Sequence, residues 1–532
     1  MVEVATPGTS AKQNAYDEVP YESYPFTQAH PNRMATVATL FGLRPTPFTK
    51  CRVLELGSAA GGNLIPMALE SPESEFVGID LSARQIDDGK RLIEQLGLTN
   101  IKLISGSILD IDASYGQFDY VICHGVFSWV PNEVQDKILE IAGTMMTPQG
   151  VAYISYNTYP GWHMRGMIRD MMRYHSERFN SPKIRTRQAR ALLDFLSQSV
   201  KQEGSAYAAL LKQEVETLRH QADHYLYHEH LEEINEPLYF HQFAERAGSK
   251  GLQYLGESRV GTMVLSNFGP DIEKTLRILA TDQIMVEQYM DFLRNRMFRE
   301  TLLVSNRVQP NWSVQPEVLR RFFVASAAAP VGDPGDLNSP DNISFKSPSG
   351  MSMATTQPLL KAAMVVLRKN WPQPIQFDKL REEARTLLGG NASTEQVAKD
   401  QQLLAVGLLN CYMGSDLIEL HTHQPTFTRE PGDKPIVSPL ARLQAATGPA
   451  VTNRRHEVVR LNDLDRQIVP LLDGSMDRAA ILDKLVTLAK SGVLTVQQDN
   501  NTLTDEARIR EAMKGVVDPS LRGLAGHALL IA

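Results

Sequence analysis

Cysteine is scarce in this chain, and long apolar runs are missing. The 532 residues include only three cysteines, Cys51, Cys123 and Cys411, which lie far apart. A disulfide framework and a zinc site of paired cysteines are therefore excluded, and the pattern suits a reducing compartment. No apolar run approaches the ~20 residues that span a bilayer, and the N-terminus lacks the basic start and apolar core of a signal peptide. We expect a cytoplasmic protein that does not insert into membranes.

An excess of positive charge is also missing. The chain has 54 Lys and Arg against 61 Asp and Glu, which gives a net charge of -7. Such a protein has no overall attraction for phosphate backbones or anionic lipids. Its length exceeds what one hydrophobic core serves, so we expect three or four domains.

From residue 51 onward, apolar runs alternate with amphipathic segments. The run 120–123 is continuously apolar, as expected for a strand that is covered on both faces. The pattern predicts strands at 51–56, 75–79, 101–105, 118–123 and 150–155, and helices at 61–70, 82–97 and 131–146. The expected fold class is α/β, with a Rossmann-like doubly wound parallel sheet.

A glycine-rich turn follows the first predicted strand. The strand ends at Glu55, glycines follow at Gly57 and Gly61, and the next predicted strand ends at Asp80. This order is typical of a nucleotide-type cofactor site, although the Gly-x-Gly-x-x-Gly spacing of dinucleotide sites is missing. The acid-x-Gly-x-x-x-Gly form fits the first motif of S-adenosylmethionine sites, with Ala59 in place of the middle glycine. The alternative is a tight turn in another doubly wound protein.

We expect the turn to let the backbone approach the methyl donor, and Asp80 to accept hydrogen bonds from its ribose hydroxyls. After the third strand, Ser107 stands where many such enzymes place an acid against the adenine amino group. The full set of expected cofactor residues is Tyr21, Glu55, Gly57, Ser58, Gly61, Asn63, Asp80, Leu81, Ser107, Ile108 and His124. The expected cofactor is S-adenosyl-L-methionine, which leaves as S-adenosyl-L-homocysteine.

The loops after the fourth and fifth predicted strands carry the candidate acceptor residues. Aromatic faces can hold a cationic amine, and the candidates for the catalytic site are His124, Trp129, Tyr156, Tyr159 and Trp162. Plain packing is the alternative for each aromatic residue, and contact with the cofactor is the alternative for His124. The first loop lacks the Asn/Asp-Pro-Pro-aromatic motif of enzymes that methylate nucleobase amino groups, so we expect no nucleic-acid partner.

Two patterns outside the sheet allow more than one interpretation. His220, His224 and His228 follow helical spacing, but no carboxylate or cysteine pattern accompanies them, so packing is favoured over a metal site and we expect no metal. A basic run either contacts an acidic partner or forms a solvated helix face, which we favour. The run consists of Arg165, Arg169, Arg173, Arg178, Lys183, Arg185, Arg187 and Arg190.

The remaining patterns divide the chain into segments. A break rich in Ala, Pro, Gly and Asp at 325–341 precedes a helix-helix-helix-strand order that suggests a winged-helix-like module. A strand at 260–265 is expected to close the sheet. The expected segments are 1–50, an N-terminal aromatic segment and helix covering the cofactor site; 51–162, the cofactor-binding core; 163–235, a helical insertion; 236–310, completion of the sheet; 311–435, a middle domain; and 436–532, an α-rich C-terminal domain.

Five segments together resemble bacterial methyltransferases that carry a methyltransferase regulatory domain. These segments are 16–21, 30–31, 53–67, 124–131 and 155–162, and the resemblance covers roughly the first 300 residues. The characterised branch that the chain is similar to comprises rickettsial protein-lysine methyltransferases. The resemblance implies a class I methyltransferase domain, a helical dimerisation or regulatory region, further C-terminal domains, a protein-lysine acceptor and a homodimer.

Two other functions remain open at this point. Methylation of a small molecule or natural product would use the helical insertion as a lid. A donor-sensing scaffold would bind S-adenosylmethionine without turnover and use its C-terminal domains to bind partners.

Overall fold

A seven-stranded sheet organises the N-terminal part of the molecule. The computed structural model describes residues 23–200, 204–219, 221–390, 393–498 and 501–532. Five parallel strands are followed by β7, which runs antiparallel between β5 and β6, in the order β3-β2-β1-β4-β5-β7-β6. The strands are β1 Arg52–Leu56, β2 Glu75–Asp80, β3 Ile101–Ser105, β4 Phe118–Cys123, β5 Met146–Asn157, β6 Leu252–Glu257 and β7 Phe298–Ser305.

Helices cover the sheet. Local signals set their ends: the helix after β2 starts where Ser82 Oγ accepts a hydrogen bond from Gln85 N, and it stops at Gly97, whose φ is 64°. The helices of this part are α1 Pro31–Leu40, α2 Leu64–Glu70, α3 Ala83–Leu96 and α4 Asn132–Met145. The five parallel strands and the three helices predicted between them are confirmed.

The strand predicted at 260–265 is wrong. Short 3₁₀ turns occupy Val260–Met263 and Leu265–Phe268, and β7 closes the sheet instead. Charged residues near the start of β7 hid its apolar pattern. Arg299 is nevertheless fully buried there, because its guanidinium donates to Glu257 Oε1 at 2.6 Å and to Asp291 Oδ2 at 2.8 Å.

Between β5 and β6 the chain forms a helical insertion with its own apolar core. This insertion consists of α5 Gly161–Ser176, α6 Pro182–Ser199, α7 Ala206–Arg219 and α8 Asp223–Leu226, which continues into a π-helical turn, Tyr227–Leu231. Helices α9 Phe240–Ser249, α10 Pro270–Leu279 and α11 Gln283–Arg294 then lead back to the sheet.

The arginines of the insertion hold its helices together. Arg169 donates to the carbonyl oxygen of Glu232, Arg185 donates to that of Leu231, and Arg190 donates to that of Gln221. Arg169 is buried. The interpretation of the basic run as a solvated face is therefore wrong for Arg169, and at least these three arginines satisfy backbone carbonyls near the C-terminal end of the insertion.

Two further units follow the sheet. Buried residues of the middle segment join the same apolar cluster as β1 and α1, whereas residues 437–530 form a separate core. The strands are β8 Phe323–Ala325, β9 Ala329–Pro330, β10 Ile343–Lys346, β11 Ser352–Thr355, β12 Ile375–Gln376, β13 Glu419–His421, β14 Ala450–Thr452, β15 Val458–Arg460, β16 Gln497–Gln498 and β17 Asn501–Thr502. The helices are α12 Pro358–Asn370, α13 Phe377–Leu387, α14 Thr394–Gly414, α15 Pro439–Thr447, α16 Asp463–Ile468, α17 Arg478–Lys490, α18 Glu506–Lys514 and α19 Val517–Gly526. Across the described residues, no helix is both long and apolar enough to cross a membrane.

Candidate active site

The glycine turn between β1 and α2 has the backbone shape that its sequence predicted. Gly57 and Gly61 have φ angles of 79° and 76°, and Ala59, which replaces the middle glycine, has a φ of 48°. Asp80 stabilises this left-handed alanine, because its Oδ2 accepts a hydrogen bond from Ala59 N at 2.8 Å. A side chain at Gly57 would place its Cβ 2.3 Å from Val126 Cγ2, so the turn packs directly on the loop after β4.

Glu55 is buried beneath the turn with one oxygen satisfied and one open. Its Oε1 accepts a hydrogen bond from Asn63 Nδ2 at 2.7 Å, whereas Oε2 has no partner among the described residues. Burial raises the pKa of Glu55 to about 8, against the opposing effect of the Asn63 hydrogen bond. The hydroxyl of Ser58 is likewise buried without a partner in the described part of the chain. Buried polar atoms without a hydrogen-bond partner are available to bind a polar ligand.

The N-terminal segment lies over the turn. Ser23 Oγ accepts a hydrogen bond from Gly62 N at 2.8 Å, and Phe26 N donates to Asn63 Oδ1 at 2.9 Å. A Cβ at Gly62 would lie 2.3 Å from the carbonyl oxygen of Ser23, so only glycine allows this approach. Tyr24 lines the cavity below, whereas the predicted cofactor residue Tyr21 lies outside the described residues.

A cavity of about 660 Å³ opens at the carboxyl ends of the parallel strands. Most of the residues predicted to bind a cofactor line its first half: Glu55, Gly57, Ser58, Asn63, Asp80, Leu81, Ser107, Ile108 and His124. Asp80 Oδ1 accepts a hydrogen bond from Ser82 N at 2.9 Å, which fixes the carboxylate at the end of β2. Gly61 does not line the cavity but shapes the turn, since its N–H donates to Ser58 O at 2.8 Å.

His124 lines the cavity from the loop after β4. Its ring packs at a tilt against the ring of Phe26, with centroids 3.9 Å apart, and its Nδ1 lies 2.9 Å from the Tyr153 hydroxyl and 3.3 Å from Ser155 Oγ. Burial, assisted by the charge of Arg259, lowers the pKa of His124 to about 4. The ring is therefore neutral near pH 7 and is a weak proton acceptor.

The second half of the cavity lies below the helical insertion. Trp129 and Trp162 meet edge to face there, with ring centroids 6.1 Å apart. Residues that the sequence did not single out as part of this site complete the wall: Asn157, Arg165, Tyr225, His228, Glu229, Met297 and Phe298. Asn157 could have been found from strand periodicity, because Ser155 and Asn157 share one face of β5. No strand periodicity could have predicted Glu229, because it belongs to the helical insertion rather than to a strand of the sheet.

Two predicted acceptor residues do not line this cavity. Tyr156 is buried in the core, where its ring stacks on Phe243 with centroids 4.1 Å apart. Tyr159 stacks on His163 with centroids 4.0 Å apart. His124, Trp129 and Trp162 are therefore the predicted acceptor residues that the structure brings together.

Of the three helical histidines, the structure describes only the side chain of His228. His228 Nδ1 lies 2.9 Å from Glu232 Oε1, and His220 lies outside the described residues. No group of three or more His, Cys, Asp or Glu side chains suited to a metal ion occurs among the residues that the structure describes.

The sheet order, the glycine turn after β1 and the acid at the end of β2 define a class I methyltransferase that uses S-adenosylmethionine. Matches to known protein families agree with this assignment. A methyltransferase domain matches residues 48–233, a predicted methyltransferase regulatory domain matches 222–305, and the C-terminal winged helix domain of PKMT matches 433–529. The winged-helix match thus lies after the middle segment for which the sequence suggested that module.

Similarity over nearly the whole chain shows which family the protein belongs to. The chain is 37% identical to an uncharacterized protein of Rickettsia prowazekii over 531 residues, which are 98% of this chain and 95% of that protein. A second uncharacterized protein of Rickettsia prowazekii is 45% identical over 241 residues, 45% of this chain and 96% of that protein. The structure of PKMT2 from Rickettsia typhi in complex with AdoHcy is 33% identical with a TM-score of 0.86, over 96% of this chain and 100% of that one. The chain belongs to this family of S-adenosylmethionine-dependent methyltransferases.

Proposed function

We propose that the protein methylates lysine side chains of a protein substrate. The observation that carries this proposal is the continuity of the cavity, which leads from the glycine turn to a second half with two tryptophans. Indole faces bind ammonium and methylammonium groups well. The family designation PKMT, protein-lysine methyltransferase, supports the same acceptor.

The first half of the cavity fits S-adenosylmethionine. We propose that the open Oε2 of Glu55 accepts a hydrogen bond from the donor's ammonium, and that Asp80 accepts hydrogen bonds from the ribose hydroxyls. Ser107, Ile108 and Leu81 would border the adenine. The glycine turn provides the close backbone approach. When bound, the donor supplies an electrophilic methyl group on a sulfonium leaving group.

The protein itself must deliver a neutral amine in line with that methyl group. A lysine ammonium has an ordinary pKa near ~10.4, so the site must remove one proton before transfer. Trp129 and Trp162 would hold the amine end of the acceptor and exclude water around it. His124 would contact the donor and position the loop after β4.

A labelled-donor experiment tests the acceptor class. The protein is incubated with tritiated S-adenosylmethionine and a heat-treated bacterial lysate, and label is then measured in acid-hydrolysed protein and in the small-molecule fraction. We expect label in methyllysine. Label only in small molecules would support the alternative of a small-molecule methyltransferase, and donor binding without turnover in either fraction would support the scaffold alternative.

We also propose that the helical insertion forms a homodimer interface. Large apolar side chains are exposed on α5 and α6, among them Tyr174 and Phe195, which are 87% and 62% exposed. Light scattering of the wild type and of a Tyr174→Ser, Phe195→Ser double variant tests the proposal. A dimer that the double substitution leaves intact would contradict this location.

A further inference from the structure

A short π-helical turn forms part of the acceptor wall. It covers Tyr227–Leu231, directly after α8, and isolated π-helical turns are frequent at functional sites. Glu229 belongs to this turn and lines the cavity together with Trp162 and Arg165 of α5. A carboxylate therefore stands in the half of the cavity that we assign to the acceptor amine.

The charged neighbours of Glu229 are engaged elsewhere. Arg165 Nε lies 3.3 Å from Glu214 Oε1, and His228 Nδ1 lies 2.9 Å from Glu232 Oε1. Within the described part of the chain, the Glu229 carboxylate itself has no hydrogen-bond or ion-pair partner. The Glu229 side chain is half-buried, and an unpaired carboxylate with little access to water is costly unless a ligand compensates it.

These surroundings also set the proton affinity of Glu229. Burial raises the pKa of Glu229 to about 7, and the nearby Arg165 and His228 side chains oppose the rise. Tyr225 faces the same group from α8 and is uncharged near neutral pH, since burial raises its pKa. By comparison, burial lowers the pKa of His124 to about 4, so Glu229 is the stronger base of the two.

We propose that Glu229 binds the ammonium of the acceptor lysine and accepts its proton before methyl transfer. This inference rests on the proposed lysine acceptor. The proton passes from the ammonium nitrogen to a Glu229 oxygen, which leaves a neutral amine and a protonated carboxyl group. The amine lone pair then forms the N–C bond to the methyl carbon as the C–S bond breaks, and that electron pair stays on sulfur as a thioether. Glu229 returns its proton to solvent.

This arrangement explains why the acceptor wall combines aromatic and acidic groups. Trp129 and Trp162 stabilise the cation by their faces, whereas the carboxylate stabilises it by charge and removes its proton. Arg165 also lines the cavity, and its positive charge would lower the pKa of the acceptor amine and bring it closer to the pKa of Glu229.

The test compares Glu229→Gln and Glu229→Asp with Glu236→Gln, an exposed glutamate of the same segment, as the matched control. Initial rates of methyllysine formation are measured from pH 6 to 9.5 with limiting heat-treated lysate protein, and donor affinity is measured by calorimetry. We expect E229Q to lower the rate about 100-fold or more while donor affinity changes less than threefold. Its residual rate should rise with pH as the amine loses its proton unaided, and E229D should retain an intermediate rate.

Two outcomes would overturn the inference. An E229Q rate within threefold of wild type, with the same pH profile, would show that Glu229 takes no proton. A uniform loss in which E229D matches E229Q and neither pH profile changes would assign Glu229 to packing. Absence of methyllysine with the wild-type enzyme is a separate result, because it would refute the proposed function itself.

Discussion

His456 reaches from the β14–β15 hairpin to Asn63 at the glycine turn, and its Nε2 lies 2.8 Å from Asn63 Oδ1. Since the amide oxygen only accepts, Nε2 carries the proton, and burial keeps the ring neutral by lowering the pKa of His456 to about 3. Asn63 in turn donates to Glu55 Oε1 and accepts from Phe26 N. Through one side chain, the C-terminal winged-helix domain thus supports both Glu55 and the N-terminal segment at the proposed donor site.

This contact predicts that the C-terminal domain influences donor binding. In His456→Ala, the oxygen of Asn63 loses one of its two donors, and the loss of such a buried hydrogen bond costs about 1–3 kcal/mol. We expect the Kd for S-adenosylmethionine to rise roughly five- to tenfold, with a smaller change in melting temperature. Calorimetry checks this, with His527→Ala, an exposed histidine of the same domain, as control. Equal affinities of both variants would contradict the coupling.

The close approach of the N-terminal segment to Gly62 leads to a second prediction. Gly62→Ala introduces a Cβ that would lie 2.3 Å from the Ser23 carbonyl oxygen, so the segment must move away from the turn. We expect weaker donor binding, because Ser23, Tyr24 and Phe26 cover the cavity.

Gly248→Ala is the matched control for this substitution. Its new Cβ meets no atom within 4 Å and it lies in α9, where alanine favours the helix. Donor affinity is measured by calorimetry, and cleavage of the N-terminal segment is followed by limited proteolysis. We expect faster cleavage only in Gly62→Ala, and the prediction fails if both variants behave like wild type.

Asp80 is expected to have two functions at once. It accepts from Ala59 N and so stabilises the left-handed alanine of the turn, and we propose that it also accepts from the ribose hydroxyls. Asp80→Ala should weaken donor binding by roughly 1 kcal/mol or more, and Asp80→Asn, which keeps one acceptor, should lie between it and wild type. Calorimetry with Asp87→Ala as an exposed control measures this, and unchanged affinity would exclude the assignment.

Most of the residues that line the half of the cavity assigned to the donor could be predicted, because they are close together in the sequence or end neighbouring strands. Glu55, Gly57 and Gly61 belong to one turn, and Asp80 ends the neighbouring strand, so spacing and strand order alone place them together. Asn63 was also predicted, but its support by His456 joins residues 393 positions apart, which no pattern in one sequence reveals.

The half of the cavity that we assign to the acceptor was harder to predict for two physical reasons. Glu229 belongs to the insertion after β5, and its packing against the cavity depends on tertiary contacts rather than on periodicity. Tyr156 was chosen for its aromatic character, but adjacent residues of a strand point to opposite faces. Ser155 and Asn157 therefore face the loop after β4 and the cavity, whereas Tyr156 stacks in the core on Phe243.

The open oxygen of Glu55 predicts that donor binding depends on pH. Burial raises the pKa of Glu55 to about 8, so at pH 7 the free protein holds this carboxyl mainly in its neutral form. The ammonium of the donor, placed at Oε2, would favour the ionised form of Glu55. Donor binding below pH 8 must therefore release the proton that Glu55 holds in the free protein. Donor affinity should therefore rise by up to about tenfold per pH unit between pH 6 and 8 and then level off.

The raised pKa of Glu55 also makes the stability of the free protein depend on pH, and stability should fall with rising pH where donor affinity rises. Because the folded pKa lies above the ordinary value of a glutamate, the free protein holds a proton that the unfolded chain has lost, and its stability falls as pH rises from about 4.5 through 8. Glu55→Gln removes the titrating group and keeps its shape, so both pH dependences should flatten. Calorimetry in buffers of different ionisation enthalpy counts the released proton, and equal proton release by Glu55→Gln and the wild type would assign the titration to another group.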